Sequence, residues 1–357
     1  MIMLSKNKVV LGLSGGVDST TAALLLKEQG LTVIGYYFDV LGNNEKGREA
    51  AQELASRLDI DFIAEDVSEE FADTVIGNFC SEYACGRTPN PCVICNPAVK
   101  FRKLTETADR CGACYIATGH YARVYRDEST GLSFIRKGVS GRKDQSYMLY
   151  RLGQSVLQRL ILPLGDFADK EKTREVARKS MMPNAEAADS QEICFIDEKK
   201  ETYAEFLSRR GIPFKEGNFV DRNGRVLGRH QGIGRYTIGQ RKGLGIALGK
   251  PAFVTAIDTE TGNVVLGSND DLFRKKVVSS SCFFAETDGP EPPEKLLRKE
   301  GLTAKIRYAA KPAAVRLSKE DNGRIAAVFE EPQRAATPGQ SIVFYDGELA
   351  VGGGFIE

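Results

Sequence analysis

Apolar residues in the first half of the chain come in short continuous runs, separated by stretches with helical spacing. Residues 9–13 are apolar or Gly, the pattern of a strand buried on both faces of a parallel sheet. Ser14-Gly15-Gly16 interrupts that run. A helix follows, apolar at Val17, Ala22, Leu24, Leu25 and Leu26, with Gly30 placed to end it. Residues 32–40 read as a second strand and 61–65 as a third. Between them 49–58 is a helix with Ala51, Leu54, Ala55 and Leu58 on one face. A further buried strand is expected over 115–124, with Gly119 and His120 near its end. The loop 86–97 leads into another helix, for which Asn96 suits the N-cap and Pro97 the first helical position. Such alternation predicts an α/β fold with a doubly wound parallel sheet. The ligand crevice of such a sheet lies at the carboxyl ends of its strands.

Beyond about Glu201 the pattern changes. Residues 214–249 are rich in Gly and basic residues and read as short strands and turns. From Val277 there are only short β-type runs, including 326–330, 341–345 and 349–355, separated by Gly, Pro and Asp. Three regions are expected: an α/β catalytic domain over 1–200, a small glycine-rich domain over 201–275, and a β-barrel over 276–357.

Composition changes this picture little. The 357 residues exceed one typical core, and 42% hydrophobic with 27% charged residues is ordinary for a globular protein. No apolar run approaches the ~20 residues of a membrane span. The N-terminus lacks a signal-peptide pattern, so a cytoplasmic protein without a membrane partner is expected. The net charge of +1 leaves any nucleic-acid surface to local clusters. Two basic runs qualify. Arg222, Arg225, Arg229, Arg235, Arg241 and Lys242 stand against Asp221. Arg298, Lys299, Lys305, Arg307, Lys311, Arg316 and Lys319 stand against Glu300.

The strand–glycine turn–helix at 9–20 concentrates unpaired backbone N–H groups and the positive end of a helix dipole. Gly15 and Gly16 allow a phosphate close approach, Ser14 and Ser19 add hydroxyls, and Asp18 suits a cation or a ribose. No Gly-Lys-Ser/Thr follows, so this is not a Walker loop. Instead S-G-G-V-D-S resembles the PP-loop of ATP pyrophosphatases, which implies an adenylating site.

Cys92, Cys95, Cys111 and Cys114 have the C-x2-C-x15-C-x2-C spacing of a zinc site. A helix between the two pairs would hold them roughly 20 Å apart, too far for one metal. Cys95, just before an N-capped helix, is placed for a thiolate. Cys194, between Ile193 and Phe195, reads locally as a buried strand residue.

Taken together, the motifs resemble the bacterial tRNA-specific 2-thiouridylase family. They are G-L-S-G-G-V-D-S (12–19), G-R-T-P-N-P-x-x-x-C-N (86–96), A-T-G-H-Y-A-R (117–123), K-D-Q-S-Y (143–147), Q-E-I-C-F (191–195), Y-T-I-G-Q-R-K-G-L-G (236–245), R-Y (307–308) and P-G-Q (338–340). The resemblance implies ATP-dependent adenylation of the C2 oxygen of a wobble uridine, followed by sulfur transfer from a cysteine persulfide. It implies Cys194 as persulfide carrier and Cys95 as the nucleophile left disulfide-bonded to it. By the same resemblance Gly12, Leu13, Ser14, Gly15, Gly16, Val17, Asp18, Ser19, Phe38 and Gly119 line ATP with Mg2+. Asn90, Pro91 and Cys92 face the target base. His120, Lys143, Asp144, Gln145, Arg307, Tyr308 and Gln340 contact tRNA. The implied partners are the Glu, Gln and Lys tRNAs and a persulfide-donating relay protein. Cys92 stands where family members commonly have Asp. That departure opens a second expectation, an iron–sulfur cluster on Cys92, Cys95 and Cys194. Two rival functions remain: another PP-loop adenylating synthetase of the amidotransferase type, or a non-catalytic RNA-binding or sulfur-carrier protein.

Overall fold

The computed structural model describes residues 4–187, 193–197, 199–212, 214–246 and 248–357. The expected segment 188–192, with Gln191 and Glu192 of the Q-E-I-C-F motif, lies outside the described residues. Among the described residues no helix is long and apolar enough to cross a membrane.

The N-terminal region is built on five parallel strands. Strands β1 (Ser5–Gly12), β2 (Thr32–Asp39), β3 (Asp61–Asp66) and β4 (Ala113–Ala117) are followed by the hairpin β5 (Ala122–Arg126) and β6 (Ser133–Lys137), then by β7 (Leu160–Ile161). The sheet order is β3-β2-β1-β4-β7. Val9, Val10 and Leu11 are wholly inaccessible, which explains why this strand carries no polar alternation. The strand order reverses at β1, so the loops leaving β1 and β4 lie side by side at the switch point.

Three expectations need correction. The run 115–124 is two strands in two sheets. The chain turns at 118–121, and β5–β6 adds to the edge of the C-terminal sheet through β6–β17 pairing. The turn comes where Gly119 presses on the start of the first helix (Val17–Glu28). Second, the helix expected from residue 49 starts at Glu45, because the Asn44 side chain accepts from the N–H of Gly47.

Third, the helix expected to start at Asn96 starts at Pro91. Asn90 caps it by accepting from the N–H of Cys92 at 3.2 Å, with Pro91 at the first helical position. Both Asn-Pro pairs carry the cap signature and the earlier one prevails. The helix Pro91–Cys95 runs on through a wide π-type turn, Asn96–Phe101, into Arg102–Arg110. The wide turn accommodates Pro97, whose missing N–H would break a regular helical ladder.

The middle region holds β8 (Gly217–Val220), β9 (Val226–His230), β10 (Phe253–Asp258) and β11 (Asn263–Gly267) in the order β10-β11-β8-β9. Its small core centres on Phe219, Ile233, Tyr236 and Val254. The C-terminal strands are β12 (Phe273–Phe284), β13 (Leu302–Lys305), β14 (Ala313–Lys319), β15 (Ile325–Arg334), β16 (Ser341–Asp346) and β17 (Leu349–Ile356). They run β12-β15-β14-β13-β16-β17, and β12–β17 pairing closes them into a six-stranded antiparallel barrel. Closure removes the exposed edges an open sheet would present.

Candidate active site

The turn Ser14-Gly15-Gly16 has the geometry of an anion cradle. Gly15 sits at φ +84, and Gly16 caps the first helix without any side-chain hydrogen bond. The first helical N–H groups therefore keep their donor capacity. A Cβ at Gly16 would meet only Ser14 Oγ, at 3.6 Å, so the approach is open. Ser19 Oγ is drawn inward, donating to the Gly16 carbonyl at 2.9 Å and accepting from the Ser14 N–H at 3.2 Å. Asn184, which sequence reasoning missed, braces the turn by donating to the Gly15 carbonyl at 2.8 Å.

Asp18 faces the cavity but is not free. Its carboxylate accepts from Lys170 Nζ at 2.6 Å and from the Tyr121 hydroxyl at 2.7 Å. Neither partner was singled out from sequence. Lys170 opens a helix (Lys170–Lys179) whose N-cap Asp169 accepts from the N–H of Lys172, a signal that was available. Asp18 is the carboxylate beside the glycine turn that would meet a magnesium ion carried on nucleotide phosphates.

These groups line a cavity of about 910 Å³. Of the ten nucleotide candidates, Ser14, Gly16, Val17 and Asp18 line it. The others shape it from behind. Leu13 is fully buried, and a Cβ at Gly12 would come within 3.3 Å of the Phe38 ring. Gly119 is a close-approach position: a Cβ there would lie 2.9 Å from the Asp18 carbonyl carbon and 3.0 Å from the Ser19 nitrogen. Backbone cannot yield as a side chain does, so Gly119→Ala should destabilise by about 1–3 kcal/mol. Urea unfolding checks this, and wild-type stability would contradict the contact.

The opposite wall brings in Arg142, Lys143, Gln145, Met148 and, from the barrel, Tyr308. Gln145 is latched to Tyr121 in both directions, accepting from its N–H through Oε1 and donating its own N–H to the Tyr121 carbonyl. Asp144 is buried. It accepts from the Gly138 N–H, the Ser146 N–H and the Ser146 hydroxyl, so it organises the loop from within. With Tyr308 it also borders a neighbouring cavity of about 410 Å³. Arg307 is exposed. The later basic run is less bare than its sequence implies: Lys299, Arg316 and Lys319 meet carboxylates, and Lys305 is buried.

His120 is half-buried beside this wall, its Nδ1 within 2.7 Å of Thr118 Oγ1 and its ring stacked on Phe101. Burial, with a lesser push from Lys100, takes its pKa down to about 3. A depressed histidine contributes stability above its unfolded value near 6.5, and that contribution fades as pH falls towards 3. NMR titration should therefore find His120 neutral at pH 5. A protonation midpoint above 6 would contradict its buried setting.

Cys95 and the two residues that flank Cys194 lie on one apolar patch. Cys95 packs with Val99 against the cluster containing Phe79, Phe195 and Ile196, and Ile193 packs on it too. Cys95 is thus inside the helix, not before it. Burial pushes its thiol up, opposed by the nearby Lys100, which corrects the expectation of a dipole-stabilised thiolate at a helix start. Cys194 is pushed up to about 11 by its surroundings and then by Cys95. The shift reflects crowding by protein atoms even though the residue's surface still reaches solvent. Cys92 is exposed in the first helical turn. All three are free thiols. Among the described residues no group of three His, Cys, Asp or Glu side chains is placed to hold a metal ion.

The loop before Asn90 is held by both other regions. Thr88 donates its N–H to the Pro338 carbonyl, Gln340 Nε2 donates to the Thr88 carbonyl, and the Thr88 and Thr237 hydroxyls are 3.2 Å apart. The P-G-Q and Y-T-I-G motifs therefore act on the Thr88-Pro89-Asn90 loop, which lies one helical turn from the cysteines.

Family models match the chain in three consecutive pieces, described as a tRNA methyl transferase HUP domain (7–198), a tRNA methyl transferase PRC-barrel domain (204–268) and an aminomethyltransferase beta-barrel domain (289–356). The tRNA-specific 2-thiouridylase MnmA of Clostridioides difficile strain 630 is 43% identical, over 99% of this chain and 99% of its own. That of Carboxydothermus hydrogenoformans is 44% identical over 100% and 99%. The chain belongs to the tRNA-specific 2-thiouridylase family. The methyl transferase wording of the domain descriptions does not alter this, since the full-length relatives carry the thiouridylase name. Among solved structures, the U34-tRNA thiolase NcsA of Methanococcus maripaludis with its [4Fe-4S] cluster aligns with TM-score 0.36 and 18% identity, over 58% of this chain and 66% of that one. Membership in the 2-thiouridylase family selects against the amidotransferase-type rival.

Proposed function

We propose that this protein is a cytoplasmic tRNA-uridine 2-sulfurtransferase that uses ATP with Mg2+ to activate the wobble uridine of Glu, Gln and Lys tRNAs. Sulfur arrives from a persulfide-donating relay protein. The C2 carbonyl of uridine is a poor electrophile with a poor leaving group, and transfer of AMP to its oxygen remedies both. The exposed helical N–H groups at Gly16 and the Ser14 hydroxyl bind the phosphates. Lys170, released from Asp18, neutralises the leaving pyrophosphate, and the Lys143–Gln145 loop with Tyr308 orients the RNA across the same cavity.

In the second half, the terminal sulfur of a Cys194 persulfide attacks C2 and displaces AMP, leaving a Cys194–S–S–C2 linkage. The Cys95 thiolate then attacks the Cys194 sulfur. The S–S bond breaks, its electron pair stays on the sulfur bound to C2 as 2-thiouridine, and a Cys95–Cys194 disulfide forms. A cellular thiol reductant and a fresh persulfide reset the enzyme. The observation that supports this reading most is the apolar patch that holds Cys95 and both chain neighbours of Cys194, Ile193 and Phe195, tied to the nucleotide cavity by Asn96, which donates to the Met148 carbonyl at 2.9 Å.

Pyrophosphate release assayed with and without tRNA tests it. Release should require tRNA bearing an unmodified wobble uridine, and release driven by ammonia or an amino acid would contradict it. Protein purified without oxygen should be fully active while free of iron. Stoichiometric iron and sulfide, lost with activity in Cys92→Asp, would replace the disulfide route with a cluster.

A further inference from the structure

We infer that the cavity of about 410 Å³ bordered by Tyr308 and Asp144 is a second phosphoryl-anion site, anchored by the Lys305 ammonium. The site is additional to the glycine turn. It rests on the proposed thiolation only for its two sources of ligand, a phosphodiester of the bound RNA and the released pyrophosphate.

Strand register puts Lys305 in this place. Leu302, Ala304 and Ile306 turn into the barrel core, so Lys305 turns to the outer face of β13. Its partner across the ladder is Val343 of β16. Val343 and, two residues on, Tyr345 pack into the core of the N-terminal region. A lysine on the outer face of a barrel strand ordinarily lies in water. Here the N-terminal region covers that face and leaves Lys305 only 8% exposed. Its Nζ lies 5.5 Å from the centroid of the Tyr308 ring and 5.9 Å from that of Tyr147. The two ring faces offset part of the cost of burying the charge. Among the described residues the ammonium has no ion pair and no hydrogen-bond partner. A lysine so deeply covered is rarely left unpaired, and an anion in the cavity supplies the missing partner.

No carboxylate of the protein is placed to do so. Asp144 lines the cavity, but its Oδ1 accepts from the N–H groups of Gly138 and Ser146 at 3.0 and 3.1 Å. Its Oδ2 accepts from the Ser146 hydroxyl at 2.9 Å. Lys137 adds a second cation to the wall, its Nζ donating to the Gly347 carbonyl at 3.1 Å and lying 4.3 Å from the Tyr345 ring centroid. Arg142 and Lys311 add two more, both exposed. The lining therefore sets four cations against one committed carboxylate, the balance of a site for an anion with several oxygens. Gly141, Arg142 and Tyr308 also border the nucleotide cavity. The two cavities share a wall, which puts both phosphoryl sources within reach.

The test compares wild type with Lys305→Met, which keeps the stem and removes the charge. Inorganic pyrophosphate is titrated calorimetrically with α,β-methylene-ATP filling the glycine turn, and tRNA affinity is measured over a range of salt. If the site takes released pyrophosphate, Lys305→Met should weaken that ligand about tenfold and leave the tRNA salt slope alone. If it takes an RNA phosphodiester, the variant should weaken tRNA about tenfold, lower the slope by about one, and bound tRNA should exclude pyrophosphate. Unchanged binding of both ligands by folded Lys305→Met would overturn the site and leave Lys305 as a strap between two rings. A measurement on the unaltered protein guards against a variant that does not fold. Pulsed acetylation read by mass spectrometry should label Lys305 several-fold more slowly when pyrophosphate or tRNA is bound, and equal labelling with and without both ligands would overturn the site as well. None of these readouts needs turnover, so their failure is distinct from failure of the thiolation reading.

Discussion

Replacing Cys194 by Ser should reduce 2-thiouridine formation by roughly 10³-fold or more, the scale on which loss of a covalent participant acts. Activation of uridine requires only ATP and a positioned base, so Cys194→Ser should still release pyrophosphate in a tRNA-dependent way. Cys95→Ser should stop one step later, with Cys194 joined through a disulfide to C2 of the uridine, a covalent protein–tRNA adduct that gel mobility detects and a thiol reductant releases. The two substitutions separate because the two thiols share a wall but not a role. Cys194 has its surface open to solvent, as a site that must be loaded by another protein requires, whereas Cys95 is partly buried against the apolar cluster. Wild-type thiolation by either variant would remove the cysteine pair from the mechanism.

The second large effect is expected at Asp18. Its carboxylate holds Lys170 and Tyr121 beside the glycine turn. Asp18→Ala removes the carboxylate that holds the Lys170 ammonium and the Tyr121 hydroxyl beside the glycine turn. Breaking such a pair costs about 3 kcal/mol, or roughly 10²-fold in kcat/KM for ATP. Because Asp18 itself is partly exposed, the loss should appear in ATP use more than in folding. Initial rates against ATP concentration, alongside a thermal melt, check this. Normal ATP dependence would sink the role assigned to the Asp18–Lys170 pair.

Much of the architecture was legible because its signals are local. The apolar run at β1, the glycine turn and Gly30 at φ +80 each specify their own backbone. What was not legible depends on competition or on distance. Asn90-Pro91 and Asn96-Pro97 offer equal capping chemistry, and only the packing of Asn96 against Met148 decides which pair is inside the helix. The strand read over 115–124 divides because Gly119 must fit against Asp18 and Ser19, a contact about a hundred residues away in sequence. β5–β6 joins the barrel sheet through a strand more than two hundred residues later.

The candidate site follows the same rule. The Ser14–Ser19 stretch and both cysteines carry recognisable motifs. Lys170 and Asn184 do not, and Tyr121, though inside A-T-G-H-Y-A-R, gives no sign of its partner until folding places it and Lys170 on Asp18 and Asn184 on Gly15. Asp144, Gln145 and Gln340 were singled out for tRNA, yet each has side-chain acceptors or donors committed within the protein. They shape the loops around the cavity that Arg142, Lys143 and Tyr308 line.

Binding should reflect that surface. Several Lys and Arg neutralising phosphates give affinity that falls steeply with salt, and Arg307→Ala should lower the slope by about one. An unchanged slope would assign the exposed Arg307 to solvent.

The central claim is that this chain places sulfur on C2 of the wobble uridine. Mass spectrometry of nucleosides from Glu, Gln and Lys tRNAs tests it most directly, using a strain that lacks the protein and is complemented with wild type or with Cys194→Ser. The 2-thiouridine derivatives should be absent from the deletion strain, return with wild type, and stay absent with Cys194→Ser. Undiminished 2-thiouridine in the deletion strain, or full recovery with Cys194→Ser, would contradict the account.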